Sequence, residues 1–292
     1  MASCANCGKE ASQRCIGCID VPEYLDGDSA GIFYCDHECQ TTDWPNHKRR
    51  CNNLKRRKSL LRAAKLLKKT LLSYKEVIFD WDLTEIEPRD DALILKHDNR
   101  RPSWEKPINF PDHLTSVPEH KEAALMKRLV CRLETVYVQI KNPPYPAIMD
   151  PPDAAIFDMM KPNVHTVVIG TLRGSGERWV IDITRCQFGL KGVLFPLDKY
   201  ITETNCNVEW PASPYLHSEI YDQQEIIAVL GTPPPEPMAD ILRITRYRLH
   251  FAELVKECVD NSLIKGSDAE FDAKMEEFSQ KVKTHMSLCQ SF

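Results

Sequence analysis

Eight residues within the first 51 positions have the types and the spacing of metal ligands. They fall as four pairs: Cys4-x2-Cys7, Cys15-x2-Cys18, Cys35-x3-Cys39 and His47-x3-Cys51. Two thiolates two or three residues apart can occupy two corners of one tetrahedron, with Zn–S near about 2.3 Å, so four pairs fill two closed structural sites. Seven of the chain's 12 cysteines lie in this stretch, and only five are spread over the rest. Nothing at the N-terminus reads as a secretory signal, which points to a reducing, intracellular setting where clustered cysteines hold metal rather than form disulfides. Two structural Zn²⁺ ions are therefore the expected cofactors.

The elements that must position these ligands can be read more coarsely. Residues 1–51 have little aliphatic content, so metal has to supply their stability. Zinc binding by small structural sites contributes roughly 10–16 kcal/mol, more than a typical domain's whole stability. Between Cys18 and Cys35 the turn-rich, acidic run 19–31 reads as a loop leading into a short strand, Ile32-Phe33-Tyr34. From about Asn53 to Ser73, Leu60, Ala64, Leu67 and Leu71 recur at helical spacing. This segment is strongly basic: Trp44 to Lys75 holds 12 basic and no acidic residues, while the remainder of the chain carries 26 basic against 42 acidic. Three readings of that run are ranked: a solvated helix face, then a nuclear import signal, then nucleic-acid contact through Lys48, Arg49, Arg50, Lys55, Arg56, Arg57 and Lys58. No aromatic residue for base stacking lies between Trp44 and Tyr74, which places nucleic acid last.

Beyond the helix the pattern is mixed. Strand-like runs cover Glu76 to Ile86 and Ala92 to Lys96, and a strong helix is expected over about Glu119 to Ile140, with Leu125, Leu129, Leu133, Val136 and Ile140 on one face. A short helix near Asp153 to Met160 precedes a hairpin of Val164 to Leu172 and Glu177 to Thr184. After the stiff Pro233 to Pro237 spacer, two helices follow, about Ala239 to Val259 and Asp268 to Cys289, the second opened by a Ser267/Glu270 capping box. The fold class is α+β, with an antiparallel sheet. The chain's 292 residues, 42% hydrophobic and 27% charged, exclude a disordered or fibrous protein. The longest unbroken apolar run, Ile226 to Leu230, is too short to span a bilayer.

The string from Tyr34 to Cys51, with Gln40, Asp43, Trp44 and His47 at fixed steps after two CxxC pairs, resembles a MYND-type zinc finger. The resemblance implies interleaved ligands: Cys4, Cys7, Cys35 and Cys39 on one zinc, and Cys15, Cys18, His47 and Cys51 on the other. The long segment between Cys18 and Cys35 departs from the pattern and is expected to loop out. MYND fingers bind short proline-containing peptides, and the matching positions here are Gln40 and Trp44. A Trp beside an amide suits such a surface, although Trp44 filling the small core between the zinc sites is an equally open and compatible reading. His37 does not match a ligand position and reads as a surface histidine.

The large domain raises the question of catalysis. His165 on one strand and Asp182 in a Trp-Val-Ile-Asp-x-Thr setting on the next are similar to the His/Asp half of transglutaminase-like and other papain-like enzymes. Such an enzyme needs a cysteine at a helix N-terminus. The upstream candidate, Cys131, sits about three turns inside its expected helix and points away from the apolar face. Hairpin register adds a test: a two-residue Gly174-Ser175 turn puts His165 and Asp182 on one face as diagonal neighbours, while a three-residue loop puts them on opposite faces. The residues favour a structural or inactive relative, with no catalytic residue assigned. A methyltransferase of the SET type is disfavoured, because the finger lies at the N-terminus and Thr204-Asn205-Cys206-Asn207 lacks the cofactor motif. Cys186, Cys206, Cys258 and Cys289 read as ordinary thiols.

Together these observations describe a MYND-type finger over residues 1–52, a basic connecting helix over 53–74, and an α+β domain over 75–292. The function expected is a zinc-binding adaptor, nuclear or cytoplasmic, that docks a protein partner through a short peptide. No membrane partner is expected. A cysteine hydrolase or transglutaminase-like activity using His165 and Asp182 is the alternative.

Overall fold

The computed structural model describes residues 2–79, 81–100, 106–126, 135–150, 164–213, 224–225, 227–229 and 239–290. The N-terminal unit is made of two tiny antiparallel ribbons. β1 (Ala2–Ser3) pairs with β2 (Glu10–Ala11), and β3 (Gln13–Arg14) pairs with β4 (Phe33–Tyr34). Its core is Ala11, Tyr34, Leu54 and the ligand cysteines, too little apolar surface to hold a fold without metal.

α1 (His37–Val77) begins inside that unit and runs for 41 residues, about 60 Å. It is longer than the apolar repeat over 53–73 indicates, because the Asp36 side chain caps its N-terminus by accepting the Cys39 N–H at 2.7 Å. Pro45 falls nine residues in, past the first turn, so the Thr41 carbonyl loses its helical donor. The helix is a spine rather than a surface element: Cys51 and Leu54 belong to the finger's core, and three further cores surround it. Ala64 meets Trp179, Val193 and Leu194 on one side. Leu66, Tyr74 and Val77 pack against α-helical residues Leu254, Phe278, Val282 and Met286 on another. Leu72 leans on a third core around Leu93 and Leu125.

The chain continues through β5 (Trp81–Pro88), β6 (Leu93–Arg100), α2 (Pro118–Met126), β7 (Thr135–Ile140), β8 (Ala147–Asp150), β9 (Val164–Thr171), β10 (Arg178–Ile181), β11 (Leu194–Pro196), α3 (Leu197–Thr204), β12 (Cys206–Ser213), α4 (Ala239–Cys258) and α5 (Asp268–Cys289). Two larger sheets result. One is fully antiparallel, ordered β11-β10-β9-β7-β12, and the other is β5-β6-β8 with a parallel β6–β8 pair. The architecture is α+β. α4 and α5 fall within a residue of their expected bounds, and the Ser267/Glu270 capping box is formed.

One expected helix is corrected. The stretch Thr135–Ile140 is a strand, with Val138 and Ile140 buried and Gln139 exposed. The run Thr-Val-Tyr-Val-Gln-Ile is β-branched and aromatic and alternates with period two, which outweighs the four-residue spacing of its aliphatics. Only Pro118–Met126 is helical among the described residues of that span. Glu76 and Val77 likewise end α1 rather than begin a strand. Cys131, the helix expected over 153–160 and the Pro233 to Pro237 spacer lie outside the described residues.

Candidate metal centres and the buried histidine–aspartate pair

Local structure brings the four ligand pairs together two by two. Cys4 and Cys7 flank a tight turn closed by the Gly8 N–H on the Cys4 carbonyl, with Gly8 at φ +75°, while Cys35 and Cys39 straddle the first turn of α1. Cys15 and Cys18 bracket a short 3₁₀ turn, and His47 and Cys51 are four residues apart on one face of α1. The ligand atoms of Cys4, Cys7, Cys35 and Cys39 all lie within 4.8 Å of one another, and so do those of Cys15, Cys18, His47 and Cys51. The pairing is thus interleaved along the chain.

Distances test the fit to zinc. A tetrahedron with Zn–S of about 2.3 Å has S···S edges near about 3.8 Å, and a histidine nitrogen shortens its own edges to about 3.5 Å. The first cluster shows Cys7–Cys35 at 3.6 Å and Cys35–Cys39 at 3.4 Å. In the second, Cys15–Cys51 is 3.8 Å, and His47 Nε2 lies 3.3 Å from Cys15 and 3.4 Å from Cys18. Disulfides would need about 2.05 Å. Electrostatics agrees: burial, reinforced by Cys15 and Cys51, pushes the Cys18 thiol up, and burial raises Cys51 as well. Such crowded thiols ionise together only around a cation. Burial also lowers the His47 pKa, keeping the imidazole neutral as a ligand must be. These two donor sets can hold two zinc ions.

Residues 4–51 match the family model of the MYND finger. The N-terminal unit is a MYND finger. A 61-residue stretch of the chain, 21% of its length, is 40% identical to the Rho GTPase-activating protein gacZ of Dictyostelium discoideum. It spans 5% of that protein. No solved structure matches the chain. The transglutaminase-like resemblance of the second half finds no support in these comparisons.

The MYND finger places Gln40 and Trp44 one turn apart on α1. Trp44 stays outside the finger's core: it is 36% exposed, and its ring stands edge-on to the His47 imidazole at 6.0 Å. Gln40 is half-buried and His37 exposed. The Cys18–Cys35 segment does not loop out. Tyr24 packs on the fully buried Trp179 of β10 at 5.3 Å, and Asp28 reaches the Arg57 guanidinium at 2.8 Å. Arg57 in turn bridges to Glu177 at 2.7 Å and lies over both rings. Tyr24 and Asp28 thus bury surface that a free loop would expose, while Leu25 beside them stays exposed.

The basic run divides: Lys48, Arg49, Arg50, Lys55 and Arg56 are exposed, as a solvated face would be, whereas Arg57 and Arg62 are buried. Lys58 and Arg62 pair with Asp268, Lys68 with Glu122 and Lys69 with Glu276. Arg62 also donates to the Ile264 and Gly266 carbonyls. The excess positive charge of α1 meets the excess negative charge of the rest of the chain. Arg57, Asp28 and Glu177 were not recognisable as a unit from sequence, since 120 residues separate Arg57 from Glu177. The one available signal was the charge segregation itself.

His165 and Asp182 do meet. β9 and β10 pair with Ile181 opposite Val168, the register that puts Asp182 diagonal to His165. His165 Nε2 lies 2.8 Å from Asp182 Oδ1, and the Tyr200 hydroxyl donates to Oδ2 at 2.7 Å. The Thr184 N–H donates to Oδ1 at 3.3 Å, and Gln187 faces His165 Nδ1 at 3.5 Å. Full burial would raise the Asp182 pKa, but His165 and Tyr200 hold it below the usual carboxylate range. Both carboxylate oxygens and both ring nitrogens have protein partners, so the group ties β9, β10 and α3 together. The cysteine nearest in sequence, Cys186, contacts the Glu122 carbonyl at 3.7 Å, and burial pushes its thiol up to about 12. A thiol so hard to ionise is a poor nucleophile.

Proposed function

We propose that the protein is an intracellular adaptor whose MYND finger docks a short proline-containing peptide of a protein partner on Gln40 and Trp44. MYND fingers are zinc-binding protein-interaction domains. The observation that carries it is the position of Trp44: a large ring, braced by the zinc ligand His47, that remains 36% exposed. A rigid half-exposed indole offers contact area at little entropic cost, and the Gln40 amide one turn away can pair with a peptide backbone. Pro45 adds an acceptor, because it cannot donate to the Thr41 carbonyl in the exposed first turns of α1.

In this reading residues 1–52 select the partner, the helix over 53–74 transmits its position, and residues 75–292 supply a second surface. No helix among the described residues is long and apolar enough to cross a membrane. The test is a proline-peptide array probed with the full chain, followed by titration of the best peptide. Trp44→Ala should weaken that peptide by about 2 kcal/mol or more, and Gln40→Ala by about 1 kcal/mol, with two zinc equivalents retained in both. Unchanged affinity in Trp44→Ala would remove this face as the docking site.

A further inference from the structure

The finger's insertion, α1 and the β9–β10 turn line an open surface cleft of about 380 Å³. Its floor is the ion-paired group Asp28, Arg57 and Glu177, and its wall on α1 carries Asn46, Arg49, Arg50, Asn53 and Leu54. The floor's hydrogen-bonding capacity is already used. Asp28 accepts from Arg57 and from the Tyr24 and Leu25 N–H groups, and Glu177 accepts from Arg57 and from the Trp179 indole. The wall is the reverse. Arg49 has no partner among the described residues and is exposed. Arg50 spends only Nη2, on the Asp28 and Ala30 carbonyls at 3.2 Å. Asn53 accepts from Arg56 at 3.1 Å, which leaves its amide NH₂ to donate.

The open groups of Arg49, Arg50 and Asn53 are therefore donors, two of them charged, while Asn46, whose NH₂ donates to Asp43, adds one acceptor oxygen. Three lining guanidiniums face two carboxylates, and Arg56, whose guanidinium lies against Gly174 in the hairpin turn, adds charge at the rim. A ligand that satisfies such a wall must bring negative charge and several acceptor oxygens. The volume suits a small organic molecule or one side chain with its flanks rather than a bare ion. We propose that this cleft binds a phosphate monoester, held by Arg49, Arg50 and Asn53. Two sources share that chemistry: a phosphorylated side chain of a protein partner and a small phosphorylated metabolite. The two carboxylates in the lining, Asp28 and Glu177, favour either over nucleic acid, whose backbone would need an unbroken basic track. Gln40 and Trp44 lie on roughly the opposite side of α1, so the two sites stand or fall separately.

The zinc-loaded full chain would be titrated calorimetrically with phenyl phosphate, glycerol phosphate, a phosphoserine pentapeptide and a DNA duplex. Saturable binding of phenyl phosphate is expected. Arg49→Ala should weaken it at least about tenfold, the loss of one charge-assisted contact, whereas Lys65→Ala, exposed on α1 outside the cleft, should leave it unchanged. Tighter binding of the pentapeptide than of glycerol phosphate identifies a protein partner, and the reverse order a metabolite. Absence of saturation at about 1 mM of any monoester would overturn the assignment. So would equal weakening by Arg49→Ala and Lys65→Ala, or binding of the duplex alone.

Discussion

Arg57 shows what a single side chain contributes when it is surrounded by partners. It is 6% exposed, its guanidinium is shared by two carboxylates from distant parts of the chain, and burial is outweighed by Glu177 and Asp28 in holding it charged. Removing it would strand two carboxylates in a mostly buried place, so Arg57→Ala should cost about 3–5 kcal/mol in urea unfolding. A loss under about 1 kcal/mol would show the pairing to be solvent-screened. Acid should loosen the same region. Asp28 and Asp182 both have folded pKa values below those of free aspartates, so their stabilisation is complete above about pH 4 and is lost as pH falls through the folded values. Asp182→Asn should therefore flatten the acid limb of stability against pH relative to the native chain. Parallel limbs in the two proteins would contradict the assigned direction.

At the scale of elements, α1 does work that no amphipathic stripe would suggest. Its residues enter four cores, the finger's included, and against α5 it contributes a buried Ser73–Ser279 hydroxyl pair at 2.7 Å beside the fully buried Val282 and Met286. Close approach of the two helices makes that seam sensitive to volume, and Met286→Ala should lose about 2–5 kcal/mol by chemical denaturation. The α5 capping box is a smaller, local contribution, and Ser267→Ala should cost about 1 kcal/mol. α2 and β7 show the opposite case. Their boundary was not legible because Leu125, Leu129 and Leu133 keep helical spacing while Val136, Val138 and Ile140 alternate, and only sheet pairing of Val138 with His165 and Val208 decides the period.

For the whole molecule, zinc does more than fold 50 residues. The insertion that covers Trp179 and completes the Arg57 pairs hangs between Cys18 of one site and Cys35 of the other. Stripping the metal should release Tyr24 and Asp28 and expose Trp179, seen as a red shift of tryptophan emission together with a lower unfolding midpoint of the remaining chain. Trp44→Phe as background removes the finger's own tryptophan, and adding Trp179→Phe to it shows how much of the remaining shift belongs to Trp179. Cys51→Ser should lose one of two zinc equivalents by elemental analysis and reproduce part of that shift. Unaltered Trp179 emission after full chelation would mean that the finger and the sheet are held together without the metal.

The ligand set was legible because metal chemistry is written in short spacings: two or three residues between thiolates already place both on one ion. The terminal helices and the Ser267 cap were legible for the same reason, since periodicity and capping are local. The embrace of the insertion around Trp179, the Arg57 bridge over 120 residues and the diagonal meeting of His165 with Asp182 were decided by tertiary structure alone. Each depends on which long-range surfaces are desolvated together, and burial of that kind is a property of the packed chain that no local pattern of residues encodes.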